Sequence, residues 1–115
     1  MSRFPRNMVL LAALTLMAVI TAPVAVRAQD EAAFELGKQI FTTDAEPQCA
    51  VCHTLADAGA AGEIGPDLDE LKPSLEKVRL AVKGGLGVMP PYEGLTDEQI
   101  EAVALYVSSV AGAAD

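Results

Sequence analysis

Cys49-Ala50-Val51-Cys52-His53 is the stretch from which the rest of this chain can be read. Two cysteines separated by two residues, with a histidine directly after the second, form the pattern of covalent c-type haem attachment. Each thiol can add across one of haem's two vinyl groups, and the short loop then sets His53 beneath the ring with its Nε2 facing the iron. Other uses of these residues fit less well. A thioredoxin-like redox pair wants a preceding strand, but residues 39–48 show no β-branched alternation and run through Asp44-Ala45-Glu46-Pro47. A structural zinc site wants four ligands, and the chain has two cysteines and one histidine. A disulfide across so short a spacing is strained and leaves His53 without a role.

Haem attachment takes place outside the bacterial cytoplasm, so the start of the chain bears on the motif. Arg3 and Arg6 are followed by an uncharged run from Asn7 to Val26, richest between Met8 and Ile20, then by Pro23 and Val26-Arg27-Ala28. A charged start, an apolar middle and small residues at the end are the marks of a secretory signal cleaved after Ala28. The competing reading is an uncleaved membrane anchor, because about 20 uncharged residues can span a bilayer. Cleavage leaves residues 29–115, one small domain, with five basic residues against 16 acidic ones. A chain of that size buries only about 60–65% of its unfolded surface, and a buried haem would complete its core. So acidic a domain does not bind nucleic acid through phosphates and favours cationic partners.

Helical spacing appears three times. Phe34, Gly37 and Phe41 share a face between Ala32 and Phe41, with Asp30 and Glu31 near its start. Leu75, Val78 and Val82 do the same between Ser74 and Gly84, where Gly84-Gly85 ends the segment. Thr96-Asp97-Glu98-Gln99 has the form of a capping box, followed by Ile100, Val103, Ala104 and Val107 with Tyr106 and Val110 at the flanks. A glycine inside a helix costs about 1 kcal/mol against alanine, so Gly37 suggests a close crossing with the last helix, Tyr106 lying over it; a tolerated surface glycine is the alternative. Ala58 to Gly62 reads as a small flexible stretch.

Two loops complete a haem site. A ligating histidine needs an acceptor for its second ring nitrogen, and the carbonyl of Pro66, in Gly65-Pro66-Asp67-Leu68, is the candidate, with Leu68 packing against the ring. Met89 is the only methionine after residue 28 and stands in Gly84-Gly85-Leu86-Gly87-Val88-Met89-Pro90-Pro91. Methionine is usually a core gap-filler, but a stiff loop of glycines and prolines suits a sulfur held over iron better than it suits gap-filling. Lys72, Arg79 and Lys83, spaced by seven and four, suggest a basic stripe along the second helix, bordering an uncharged haem edge of Ala50, Val51, Leu86, Val88 and Pro91; ordinary solvated helix residues are the alternative.

With these motifs in order, residues 29–115 resemble a small bacterial class I cytochrome c, through Gly37-x-x-x-Phe41, the Cys49–His53 motif, Gly65-Pro66-x-Leu68, Met89-Pro90 and Leu105-Tyr106-Val107. The resemblance implies an all-α fold of three to five helices around one covalent haem c, with His53 and Met89 as axial ligands and the Pro66 carbonyl bonded to His53. It implies a periplasmic one-electron carrier, either a monomer or a subunit of a hetero-complex, with no membrane span once the signal is removed. The expected partners are redox proteins, a donor dehydrogenase and an acceptor oxidase or other cytochrome. A weaker likeness, over Gly62–Met89 and Leu95–Ile100, is to monohaem subunits of periplasmic molybdenum dehydrogenases such as sulfite dehydrogenases, and makes a haem subunit of an oxidoreductase the alternative. With both axial sites filled and His53 the only histidine, no distal base exists for a peroxidase. The chain lacks the tryptophan that some relatives aim at a haem propionate, so the propionate partners stay open.

Overall fold

The computed structural model describes residues 24–113; the expected signal segment lies almost entirely outside them. Five α-helices follow in order: α1 (Val24–Gln39), α2 (Cys49–Cys52), α3 (Leu68–Leu71), α4 (Leu75–Gly84) and α5 (Asp97–Val110). A two-stranded antiparallel ribbon, β1 (Thr54–Leu55) with β2 (Ala60–Ala61), is the only sheet among the described residues, so the fold is all-α apart from this clip. No helix there is long and apolar enough to cross a membrane.

The long helices end where local chemistry ends them. Ser74 Oγ accepts from the Lys77 amide to open α4, and the full capping box of Thr96 and Gln99 opens α5. The first helix overruns its expected bounds. Within the described residues it runs from Val24, passes without a break through the Ala28–Gln29 bond, and continues beyond Gln39 as a wider π-type turn, Ile40–Asp44. That turn buries Ile40 and Phe41 next to each other.

Helices α1 and α5 cross, and the crossing forms the main packing contact of the fold. A Cβ at Gly37 would stand 2.1 Å from the Ala102 carbonyl oxygen and 2.6 Å from the Tyr106 Cβ. The glycine is therefore required by close backbone approach, as its place in the helix suggested. Tyr106 is fully buried. Its ring meets Phe34 edge-on at 5.1 Å and Phe41 at 6.1 Å, and its hydroxyl donates to Asp57 Oδ2 at 2.6 Å. Burial and that hydrogen bond push the Tyr106 phenol well above its usual range.

Two expectations need correction. The stretch from Ala58 to Gly62 is not a loose loop. Gly59 turns at φ +62° between a 3₁₀ turn and β2, and a Cβ at Gly62 would stand 2.6 Å from the backbone of Cys52 and His53. The basic stripe does not exist, because Lys72 lies outside α4 as the left-handed cap of α3, Arg79 pairs with Glu76 and Glu101, and Lys83 pairs with Asp97 at 2.9 Å. The two carboxylate oxygens of Asp69 accept from the amides of Ala56 and Gly112 at 2.7 and 2.9 Å. Asp69 ties the ribbon, α3 and the end of α5 together.

Candidate functional site

The Cys49–His53 motif folds as one helical turn. Cys49 to Cys52 form α2, and the His53 amide closes the turn on the Cys49 carbonyl at 3.0 Å. Both thiols are free. Burial pushes the Cys49 thiol up to about 11, so it is no low-pKa redox thiolate. Two residues beyond α2 the ribbon returns the chain, and Gly65 N–H donates to the Cys52 carbonyl at 2.7 Å. This brings Gly65-Pro66 against the histidine. His53 Nδ1 lies 2.7 Å from the Pro66 carbonyl oxygen. That contact requires the proton on Nδ1 and leaves Nε2 as a free donor atom for a metal. Gly65 packs so closely that a Cβ there would stand 2.5 Å from the His53 Cε1. The sequence suggested only a turn at this glycine, and the fold makes it a wall of the histidine.

On the opposite side, Leu86 and Met89 exchange both backbone hydrogen bonds at 3.0 Å. Gly87, at φ +59°, holds the first central position of this two-residue turn, where a II′ hairpin turn wants glycine. Gly85, at φ +70°, faces the Met89 carbonyl so tightly that a Cβ would lie 2.8 Å from it. The Tyr92 amide then donates to the Val82 carbonyl at 3.0 Å, and the Tyr92 hydroxyl donates to the Pro47 carbonyl at 2.8 Å. Through Tyr92 the exit of the methionine loop is thus pinned both to α4 and to the segment before α2. Burial first, then the neighbouring Cys49, pushes the Tyr92 phenol up to about 12, which keeps it a hydrogen-bond donor.

Between the histidine and the methionine lies a cavity of about 510 Å³. Cys49, Cys52, His53, Pro66, Leu68 and Met89 all line it, although they come from three separated stretches of sequence. Leu68, Phe41, Val78, Val82, Val103 and Val107 give it an apolar wall. Leu86 is 69% exposed and Val88 is 88% exposed at its mouth; Pro91 beside them is exposed and Ala50 half-buried. Of the five residues expected at an uncharged edge, Leu86 and Val88 line this cavity, whereas Ala50, Val51 and Pro91 do not. The donor set fits a flat iron macrocycle: two thiols beside a metal-facing imidazole, a thioether, and apolar walls that would otherwise stay wet.

Residues 32–107 match the family model described as cytochrome c oxidase, cbb3-type, subunit III. The chain is 36% identical over 83 residues to cytochrome c6 of Tetradesmus obliquus, covering 63% of this chain and 84% of that protein. It is 34% identical over 77 residues to cytochrome c-551 of Halorhodospira halochloris, covering 64% of this chain and 98% of that one. Among solved structures it is similar to the c-type cytochrome SorU from Sinorhizobium meliloti, with 65% sequence identity and a TM-score of 0.71 over 71% of this chain and 94% of that chain.

Proposed function

Because the chain belongs to the c-type cytochromes, we propose that it is a periplasmic electron carrier whose haem is held by Cys49, Cys52, His53 and Met89. That it carries one covalent c-type haem, transfers electrons and is not an enzyme follows from the family. The haem supplies reversible one-electron Fe(III)/Fe(II) exchange. The remaining work belongs to the chain. His53 would hold the iron through Nε2, with its tautomer set by the Pro66 carbonyl and its ring plane set by Gly65. Met89 would offer its thioether to the iron from a loop held by Gly85, Gly87 and Tyr92. As a soft, neutral donor it favours the reduced state. Leu68 and the apolar wall exclude water, so little has to reorganise when the charge changes. Exposed Leu86 and Val88 at the mouth leave an apolar contact for donor and acceptor redox proteins, whose encounters are small and short-lived.

The observation that carries this reading is the convergence of the two thiols, the imidazole and the thioether on one apolar cavity. Export follows from the amino-terminal segment, and cleavage after Ala28 would leave Asp30 and Glu31 in the first turn of a shortened α1, where acids suit a helix start. The test is the intact mass and acid-organic extraction of the protein purified from periplasm. The expected species begins at Gln29, carries one haem, and keeps its colour in acidified solvent. Colour lost to the solvent would end the covalent assignment, and a mass that includes residues 1–28 would end the cleavage assignment.

A further inference from the structure

Haem brings two carboxylates into its site as well as iron and vinyl groups. They lie on the edge of the macrocycle opposite the vinyls, and so opposite the thioethers. In a protein with 16 acidic residues against eight basic ones, two more carboxylates at an apolar cavity need a cation. Lys77 is the one Lys, Arg, Asp or Glu among the residues lining this cavity. Its ammonium has no carboxylate partner among the described residues, whereas Lys38, Arg79 and Lys83 are each paired with acids. It also stands on a different wall from the cysteines: α2 packs against β2 and the turn at 40–44, whereas α4 packs against α5. The helix explains why Lys77 and not Arg79 faces the cavity. Residues two positions apart on a helix point about 200° from each other, so α4 gives Lys77 to the cavity and Arg79 to Glu101 of α5.

We propose that Lys77 is the haem-propionate-binding residue of this protein, taking the place of the tryptophan the chain lacks. The proposal rests on this cavity being the haem site. Lys77 is exposed at the rim, so its replacement leaves the core packing intact. The experiment compares wild type with Lys77→Gln, Lys77→Arg and, as a control for loss of a cation from the same helix, Lys83→Gln. Two quantities are measured on haem-loaded protein: the reduction potential, and the paramagnetic NMR shifts of the propionate methylene protons in the ferric state. Loss of an ammonium bound to a propionate leaves more negative charge beside the iron. The potential of Lys77→Gln therefore falls and its propionate signals move, while Lys77→Arg keeps both near wild type and Lys83→Gln moves neither. Unchanged propionate signals in Lys77→Gln, or a potential shift matched by Lys83→Gln, overturn the assignment. A failure of the cavity assignment itself has a different signature, since Met89→Ala would then leave the iron spectrum unchanged.

Discussion

Met89 owes its position to residues that are not ligands. Gly87 supplies the positive φ of the turn, Gly85 lets the backbone pass the Met89 carbonyl, and Tyr92 anchors the exit of the loop to Val82 and Pro47. Truncating the side chain should therefore remove the thioether and leave the loop in place. Met89→Ala is expected to lose the weak near-infrared sulfur-to-iron charge-transfer band of the ferric protein and to admit small exogenous ligands. Absorption spectra of the ferric variant with and without imidazole check this, and an unchanged band with no imidazole binding would reject Met89 as the ligand. On the other side of the cavity the hydrogen bond from His53 Nδ1 to Pro66 and the contact of Gly65 with the ring do the same work for the histidine. In both cases glycine is present because another backbone or ring occupies the space of a side chain.

Among the elements, the crossing of α1 and α5 carries the fold, and two substitutions probe it separately. Gly37→Ala places a methyl group against the Ala102 carbonyl, a backbone atom that cannot yield. Overpacking of this kind costs about 1–3 kcal/mol, and thermal unfolding of the haem-loaded protein should show it as a midpoint lower by at least several degrees. Tyr106→Phe keeps the ring and deletes the hydrogen bond to Asp57. The Tyr106 hydroxyl is the main cause holding the Asp57 carboxyl below its usual range, with Lys38 assisting. A depressed carboxylate contributes stability above its unfolded value of about 3.9 and loses it as pH falls through the lower folded value. Because Asp57 is partly exposed, the loss is about 1 kcal/mol near neutral pH, or about 4–8 °C in a domain of this size. Midpoints measured from pH 7 down to pH 3 should show the two proteins converging on the acid side, and a constant gap would mean that the hydroxyl acts through packing alone.

Across the whole molecule, charge sets the encounter. The ion pairs of Arg79 and Lys83 with α5 leave no basic stripe to offset the acidic residues. The field of the domain is therefore negative, and it steers cations. Electron transfer to a small cationic cobalt(III) complex should slow as salt rises, and transfer to anionic ferricyanide should quicken, each levelling off once the Debye length falls well below its value of about 10 Å at 0.1 M. Stopped-flow rates over an ionic-strength series decide it, and the opposite signs would show that a local basic patch governs the haem edge.

What the sequence determined by itself was whatever a few neighbouring residues can specify: the Cys49–His53 turn, the caps at Ser74 and Thr96, the apolar stripe of α5 and the glycine-bounded methionine loop. These are local because attachment chemistry, capping and helical period act over two to four residues. Gly37 was legible for the same reason, as a helix-interior glycine costs free energy that only a close neighbour explains. The tertiary structure decided what depends on residues far apart in the chain: that Gly65 walls the histidine, that Asp69 joins the ribbon to the end of α5, and that Arg79 and Lys83 spend their charge on α5. It also decided which lysine looks into the cavity. The spacing of Lys72, Arg79 and Lys83 was visible, but a spacing does not say what stands opposite each side chain. The packing of α4 against α5 turned Arg79 toward Glu101 and left Lys77 at the cavity rim.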